Sequence, residues 1–102
     1  MKEIPRKCKE LLEAAYRERL AGVLVYGSAA RGEAGPDSDL DILILLDGPV
    51  DYFKELRVIT DLLYPVQLES EHHISAKPVC LAEFQSGRLQ LYRNAFREGV
   101  RV

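Results

Sequence analysis

The residues best placed to do chemistry lie in two short segments. The first is Gly27-Ser28-Ala29-Ala30-Arg31-Gly32; six residues later comes Asp39-Leu40-Asp41. A glycine at the end of an apolar run lets backbone approach a ligand closely. Backbone N–H groups opening the next helix or turn can hold phosphate oxygens. Ser28 adds a hydroxyl, and Arg31 adds a positive charge. Asp39 and Asp41 are separated by one residue at the start of a second apolar run, so strand alternation puts both carboxylates on one face. Such a pair is a hard-oxygen site suited to Mg²⁺, with Mn²⁺ as an alternative, because Mg²⁺ takes few carboxylates together with substrate phosphates. A phosphate cradle beside a metal platform is the minimum for phosphoryl or nucleotidyl transfer.

Each segment alone has a plainer explanation. Gly-Ser after a strand is commonly a tight turn, and Asp-x-Asp at a strand end is commonly solvated or guards an edge. The combination, in this order and flanked by two apolar runs, is more specific.

These segments need elements to position them. Ile4, Cys8, Leu11, Leu12, Ala15, Tyr16 and Leu20 recur at spacings of three and four, predicting a helix with Gly22 as its C-cap. Val23 to Tyr26 reads as a short buried strand ending at Gly27. A turn and short helix are expected over Gly27–Arg31, then an exposed loop from Gly32 to Ser38. Ile42 to Leu46 is the clearest strand, and its continuous apolar character requires cover on both faces. Asp51 can cap a second helix with the stripe Phe53, Leu56, Ile59 and Leu63, and Pro65 is expected to stop it. His73–Lys77 reads as a strand, with Pro78 marking its end or an edge position. A short helix is expected from Ala82, and a last one through Leu91, Tyr92, Ala95 and Phe96, closed by Gly99. The fold class is therefore α/β (α+β), a small mixed sheet packed by helices, in the order α-β-α-β-α-β-α.

Composition narrows the function classes. The 102 residues fit a single domain spanning 1–102, and 47% hydrophobic content argues against disorder. Fourteen basic against sixteen acidic residues leave a net charge of −2, which excludes general polyanion binding and makes nucleic acid an unfavoured partner. Cys8 and Cys80 are too few for a disulfide framework or four-ligand zinc site and fit reduced thiols. The N-terminus, Met1 to Arg6, has no apolar h-region, and Ile42–Leu46 is too short to span a bilayer. A soluble, cytoplasmic protein is expected.

Gly27-Ser28-Ala29-Ala30-Arg31-Gly32 followed by Ser38-Asp39-Leu40-Asp41-Ile42 resembles the signature of the DNA polymerase β-like nucleotidyltransferase superfamily, specifically its minimal nucleotidyltransferase branch. The signature region Val23–Asp47 covers about a quarter of the chain, and Phe96-Arg97-Glu98-Gly99-Val100 is similar to the closing segment of such proteins. The resemblance implies that Gly27 and Ser28 hold the β- and γ-phosphates of a nucleoside triphosphate. Arg31 and Ser38 join that nucleotide-binding set, and Asp39 and Asp41 bind two Mg²⁺ ions as the catalytic pair. It also implies a third carboxylate on a later strand. The corresponding stretch, His72–Pro78, has no acid near Ser75; Glu69 or Glu71 would serve only in another register.

The remaining polar residues read as structural. His72 and His73 are adjacent and would face opposite sides of a strand. Glu33 and Asp37 are expected to be solvated, Tyr26 to pack in the core, and Lys77 to guard an edge rather than reach a triphosphate. The leading expectation is transfer of a nucleoside monophosphate to a protein or small acceptor. The branch implies a homodimer or a complex with a small helical partner of the HEPN class, in which the minimal protein acts as antitoxin. The alternatives are a nucleotide- or partner-binding module that lacks the third carboxylate, and a purely structural domain.

Overall fold

The computed structural model describes residues 3–33 and 35–102; Met1 and Lys2 of the N-terminal segment and Ala34 of the expected loop lie outside the described residues. Helix α1 (Glu3–Tyr16) leads through a 3₁₀ turn (Arg17–Arg19) into strand β1 (Leu20–Tyr26), followed by β2 (Leu40–Leu46) and helix α2 (Tyr52–Glu69). Strand β3 (Ile74–Cys80), helices α3 (Leu81–Ser86) and α4 (Gln90–Glu98), and the short strand β4 (Val100–Arg101) complete it. The sheet order is β3-β2-β1-β4. Strand β1 is antiparallel to both β2 and β4, whereas β3 runs parallel to β2 through the α2 crossover.

Helix α1 buries Cys8 and Leu12 as expected, but Ala15 is exposed. It stops at Tyr16 because Arg17 takes a left-handed conformation, φ 53°. Leu20 therefore already belongs to β1, and Gly22 is a strand residue, not a C-cap. Its missing side chain serves another purpose: a Cβ there would lie 3.0 Å from the Arg101 guanidinium, which donates to the Ala21 carbonyl at 2.6 Å. That approach lies beside the β1–β4 pairing of Leu24 with Arg101 and Val25 with Val100, and β4 had no counterpart in the sequence reading.

Strand β2 is the buried centre, with Ile42, Leu43, Ile44 and Leu46 fully shielded. Its two faces feed two cores. On one side Val23, Val25, Ile42, Ile44 and Leu46 meet Cys8 and Leu12 of α1 and Ile59, Leu63 and Val66 of α2. On the other, Leu24, Leu43, Leu45 and Val79 meet Phe84 and Ala95. The expectation of cover on both faces holds.

Helix α2 departs from the predicted pattern at both ends. Asp51 does cap it, accepting from the Lys54 N–H. Phe53, however, is 78% exposed, and the inward stripe is Glu55, Ile59, Leu63 and Val66. The helix also runs through Pro65 to Glu69. Proline inside a helix forfeits one backbone bond and costs about 3 kcal/mol. Tertiary docking of the last turn offsets this: Val66 is buried, and the Gln67 amide holds both the His72 carbonyl and the Ile74 N–H. Strand β3 likewise continues past Pro78 to Cys80. The His73 carbonyl accepts from Leu40 of β2, so alternation turns the backbone of Pro78 away from β2, toward the open edge, where no N–H is needed.

Glu55 occupies a core position because its charge is fully partnered. Arg19 donates to its carboxylate, and the Tyr16 hydroxyl donates at 3.1 Å. Arg19 also donates to the carbonyls of Asp47 and Pro49, tying the end of β2 to the start of α2. Burial, reinforced by the Glu55 charge, pushes the Tyr16 hydroxyl up to about 12. Glu55→Ala is expected to cost about 2 kcal/mol in urea unfolding, since it orphans two donors, and Tyr16→Phe about 1 kcal/mol. Equal and negligible losses in both variants would show that the network does not hold this corner.

Candidate active site

Strand β1 ends at Tyr26, and Gly27 turns the chain with φ 71°. Residues Gly27–Gly32 form a wound turn rather than the expected short helix. Its bonds are irregular: Arg31 N–H to the Gly27 carbonyl at 3.3 Å, Gly32 to Ala29 at 3.2 Å, and Glu33 to Ser28 at 2.9 Å. The reason is local, because Gly27 enters left-handed and Gly32 leaves left-handed at φ 72°. Among the described residues the N–H groups of Ser28, Ala29 and Ala30 have no protein acceptor, so the turn keeps the free donors that a helix start would have offered.

The second segment arrives through the antiparallel register. Tyr26 pairs with Asp41, which brings the Asp41 carboxylate against the turn. A Cβ on Gly27 would lie 2.6 Å from Asp41 Oδ2. Glycine is therefore required twice, for its backbone angle and for the carboxylate lying against it. Asp39 precedes β2 and is exposed, whereas Asp41 is half-buried. Burial raises the Asp41 pKa, the Asp39 charge raises it further, and the Lys77 ammonium pulls it down. The two carboxylates thus lie within electrostatic reach of each other, with Asp39 just outside the strand in which alternation was expected to set both.

The parallel register adds a third strand. Ser75 pairs with Asp41, and Lys77 pairs with Leu43. Across one face of the sheet the rows run Tyr26–Asp41–Ser75 and Leu24–Leu43–Lys77. Ser75 thus stands where a third carboxylate was sought. Glu69 does not substitute for it, since its carboxylate is bound by Lys7 at 2.8 Å. Glu71 lies in the bend before β3 and is exposed. Among the described residues no group of three or more His, Cys, Asp or Glu side chains converges on one point. The donor set that remains, two carboxylates beside free backbone N–H groups, fits a hard divalent cation whose other ligands are water and phosphate.

The other expected site residues are engaged in varied ways. Arg31 pairs with Glu33 at 3.2 Å and Glu98 at 3.8 Å, so an incoming phosphate would compete with two carboxylates. The Ser38 hydroxyl accepts from the Gly35 N–H at 3.0 Å, closing the loop, and its own proton stays available. His72 Nδ1 meets the Ser38 carbonyl at 2.8 Å, which pins that loop to the segment before β3 and accounts for His72 structurally. Burial, and then the Asp41 charge, push the Tyr26 hydroxyl up to about 12. A groove of about 320 Å³ opens between α2 and the edge of β3, walled by Tyr52, Leu56, Tyr64, Ser75 and Lys77; none of Gly27, Ser28, Asp39 or Asp41 lines it. Lys77 lies on the edge strand β3, as expected, and the parallel register, for which only the β-α-β order gave a hint, sets it opposite Leu43, one row behind Asp41.

Known proteins resemble this chain over part or all of its length. Over 45 residues, 44% of its length, the chain is 42% identical to a Methanocaldococcus jannaschii protein named as a candidate protein adenylyltransferase. The match spans 45% of that relative, less than half its length. Among solved structures, a mutant of the toxin–antitoxin MntA–HpeT superposes with TM-score 0.67 at 15% identity, over 95% of this chain and 70% of that one. A candidate minimal nucleotidyltransferase gives TM-score 0.63 at 23% identity, over 99% and 94% of the respective chains. A candidate nucleotidyltransferase from Sulfolobus solfataricus gives 0.57 at 21%, over 98% and 79%. These structural likenesses establish the fold. The family model of the nucleotidyltransferase domain matches residues 1–102 from end to end, and the chain belongs to that family.

Proposed function

We propose that this chain is a Mg²⁺-dependent nucleotidyltransferase domain spanning residues 1–102. It would take a nucleoside triphosphate and pass the nucleoside monophosphate to a hydroxyl of a protein or small acceptor. The observation that carries this is the contact of Asp41 with Gly27, which sets a carboxylate pair against a turn rich in free N–H donors. In this reading the N–H groups of the Gly27–Ser28 turn and the Ser28 hydroxyl bind the β- and γ-phosphates. Asp39 and Asp41 hold the cation, and Ser38 and Arg31 border the triphosphate. The cation, when bound, neutralises charge on the transferring phosphoryl group. Mn²⁺ is the natural substitute in the same oxygen site.

The similarity to a protein named for adenylyl transfer favours a protein acceptor. The MntA–HpeT structure is of a toxin–antitoxin in which two aspartates, one residue apart, are replaced by glutamate. That parallel supports an antitoxin role here and assembly with a small helical HEPN-type protein, with homodimerisation as the other arrangement. No helix among the described residues is long and apolar enough to cross a membrane, in keeping with the proposed cytoplasmic setting. A second reading, a nucleotide- or partner-binding module with feeble transfer, is favoured by one observation: Ser75, not an acid, lies opposite Asp41.

Mn²⁺ with a nucleoside triphosphate is expected to raise the melting temperature by linkage, and Asp39→Asn with Asp41→Asn to abolish that shift while the protein stays folded. Differential scanning fluorimetry of both proteins decides; a shift that persists in the double variant removes the pair from the site. Asp41 also predicts a pH dependence. Its raised pKa means that ionising it opposes folding, so this penalty is present at neutral pH and relieved as pH falls through the Asp41 pKa. In metal-free buffer Asp41→Asn should therefore be more stable than wild type at pH 7, with the gap narrowing in acid. A variant less stable at pH 7 would contradict that sign. Radiolabelled triphosphate, supplied with Mg²⁺, separates the two functional readings: transfer to a copurifying helical partner supports the enzyme, and tight binding without transfer supports the module.

A further inference from the structure

The row Tyr26–Asp41–Ser75 and the row behind it, ending in Lys77, determine how many cations the site can hold. A divalent ion in an oxygen site needs carboxylates, and two ions side by side need carboxylates enough to bridge and to flank. Here the supply ends with Asp39 and Asp41, because no third acidic or imidazole group joins them among the described residues. The neighbouring strand offers Ser75, a neutral oxygen, and then an ammonium. Diagonal neighbours on adjacent strands lie roughly 7–8 Å apart, a span the Lys77 side chain covers. Lys77 is half-buried on the edge strand β3, and among the described residues it makes no ion pair or side-chain hydrogen bond.

We infer that the site takes one divalent cation per bound nucleoside triphosphate, and that the Lys77 ammonium is the fixed second positive charge facing the triphosphate. This rests on the nucleotide-site reading above and specifies its metal count. The carboxylate pair and the N–H donors of the turn hold one side of the triphosphate with its cation. Lys77 meets the other side as a point charge. A second divalent ion beside Asp41 would face this ammonium with no carboxylate to offset the repulsion.

The test counts ions. Wild-type protein saturated with a non-hydrolysable α,β-methylene triphosphate is titrated with Mn²⁺ and followed by electron paramagnetic resonance. The expected count is one Mn²⁺ per ternary complex. Ser75→Asp combined with Lys77→Ala supplies a carboxylate and removes the ammonium, and should raise the count to two. Lys77→Ala alone should weaken binding of the analogue about tenfold, with Lys77→Arg retaining most of it. Two Mn²⁺ in the wild type would overturn the inference while leaving the nucleotide site intact, as would an analogue affinity indifferent to Lys77→Ala. Failure of the wild type to bind the analogue at all would instead bring down the nucleotide-site reading, and this inference with it.

Discussion

The site depends on one close approach, the Asp41 carboxylate lying against the backbone of Gly27. It requires that β1 and β2 be antiparallel with Tyr26 opposite Asp41, so that the end of one strand meets the start of the other. It also requires that residue 27 have no Cβ, since one would fall 2.6 Å from Asp41 Oδ2. Everything proposed for the site follows from this juxtaposition of a negative pair and a turn with free N–H donors. Neither half has much use alone. The turn would be an anion cradle without a counterion, and the carboxylates a repelling pair without a ligand to bridge.

The fold must hold that contact against the repulsion it contains. Asp41 is half-buried beside Asp39, and both effects disfavour its charge. The stabilisation comes from elsewhere in the sheet. Strand β2 is sealed on both faces by two separate cores, and its far end is anchored by Arg19 bridging Glu55 and the carbonyls of Asp47 and Pro49. The strand is thus fixed at the end remote from the chemistry, and the unfavourable charge sits at the other. An electrostatic cost held in place by surrounding structure is what a cation-binding site needs, since the cation then removes that cost when it binds.

The third strand sets the character of the site. Because β3 joins β2 in parallel after a helical crossover, its register is free of any hairpin constraint, and the docking of α2 decides it. Gln67, in the turn of α2 beyond Pro65, binds the backbone on either side of His73 and so fixes where β3 begins. That placement sets Ser75 opposite Asp41 and Lys77 one row behind. Continuation of α2 through Pro65, a local violation of helix chemistry, thereby helps decide which side chains face the carboxylates.

Much was legible in the sequence where the physics is local. The apolar run Ile42–Leu46 required a doubly covered strand, Asp51 marked a helix start, and the order Gly27-Ser28 then Asp39-x-Asp41 pointed to the family. The position of Ser75 opposite the aspartates was also foreseen. Other features depended on contacts between distant residues. Gly22 resembled a helix stop and is a strand glycine under Arg101. Phe53 fitted the apolar period of α2, yet Glu55 took the inward place because Arg19 and Tyr16 were there to satisfy it. Pro65 should have ended its helix, and packing of Val66 and Gln67 carried it on. The sequence by itself determined which residues could bind phosphate and metal, because those properties belong to side chains and to short spacings. Only the tertiary structure decided that Asp41 lies against Gly27 and that Lys77 joins it, because strand register is set by packing across the whole sheet.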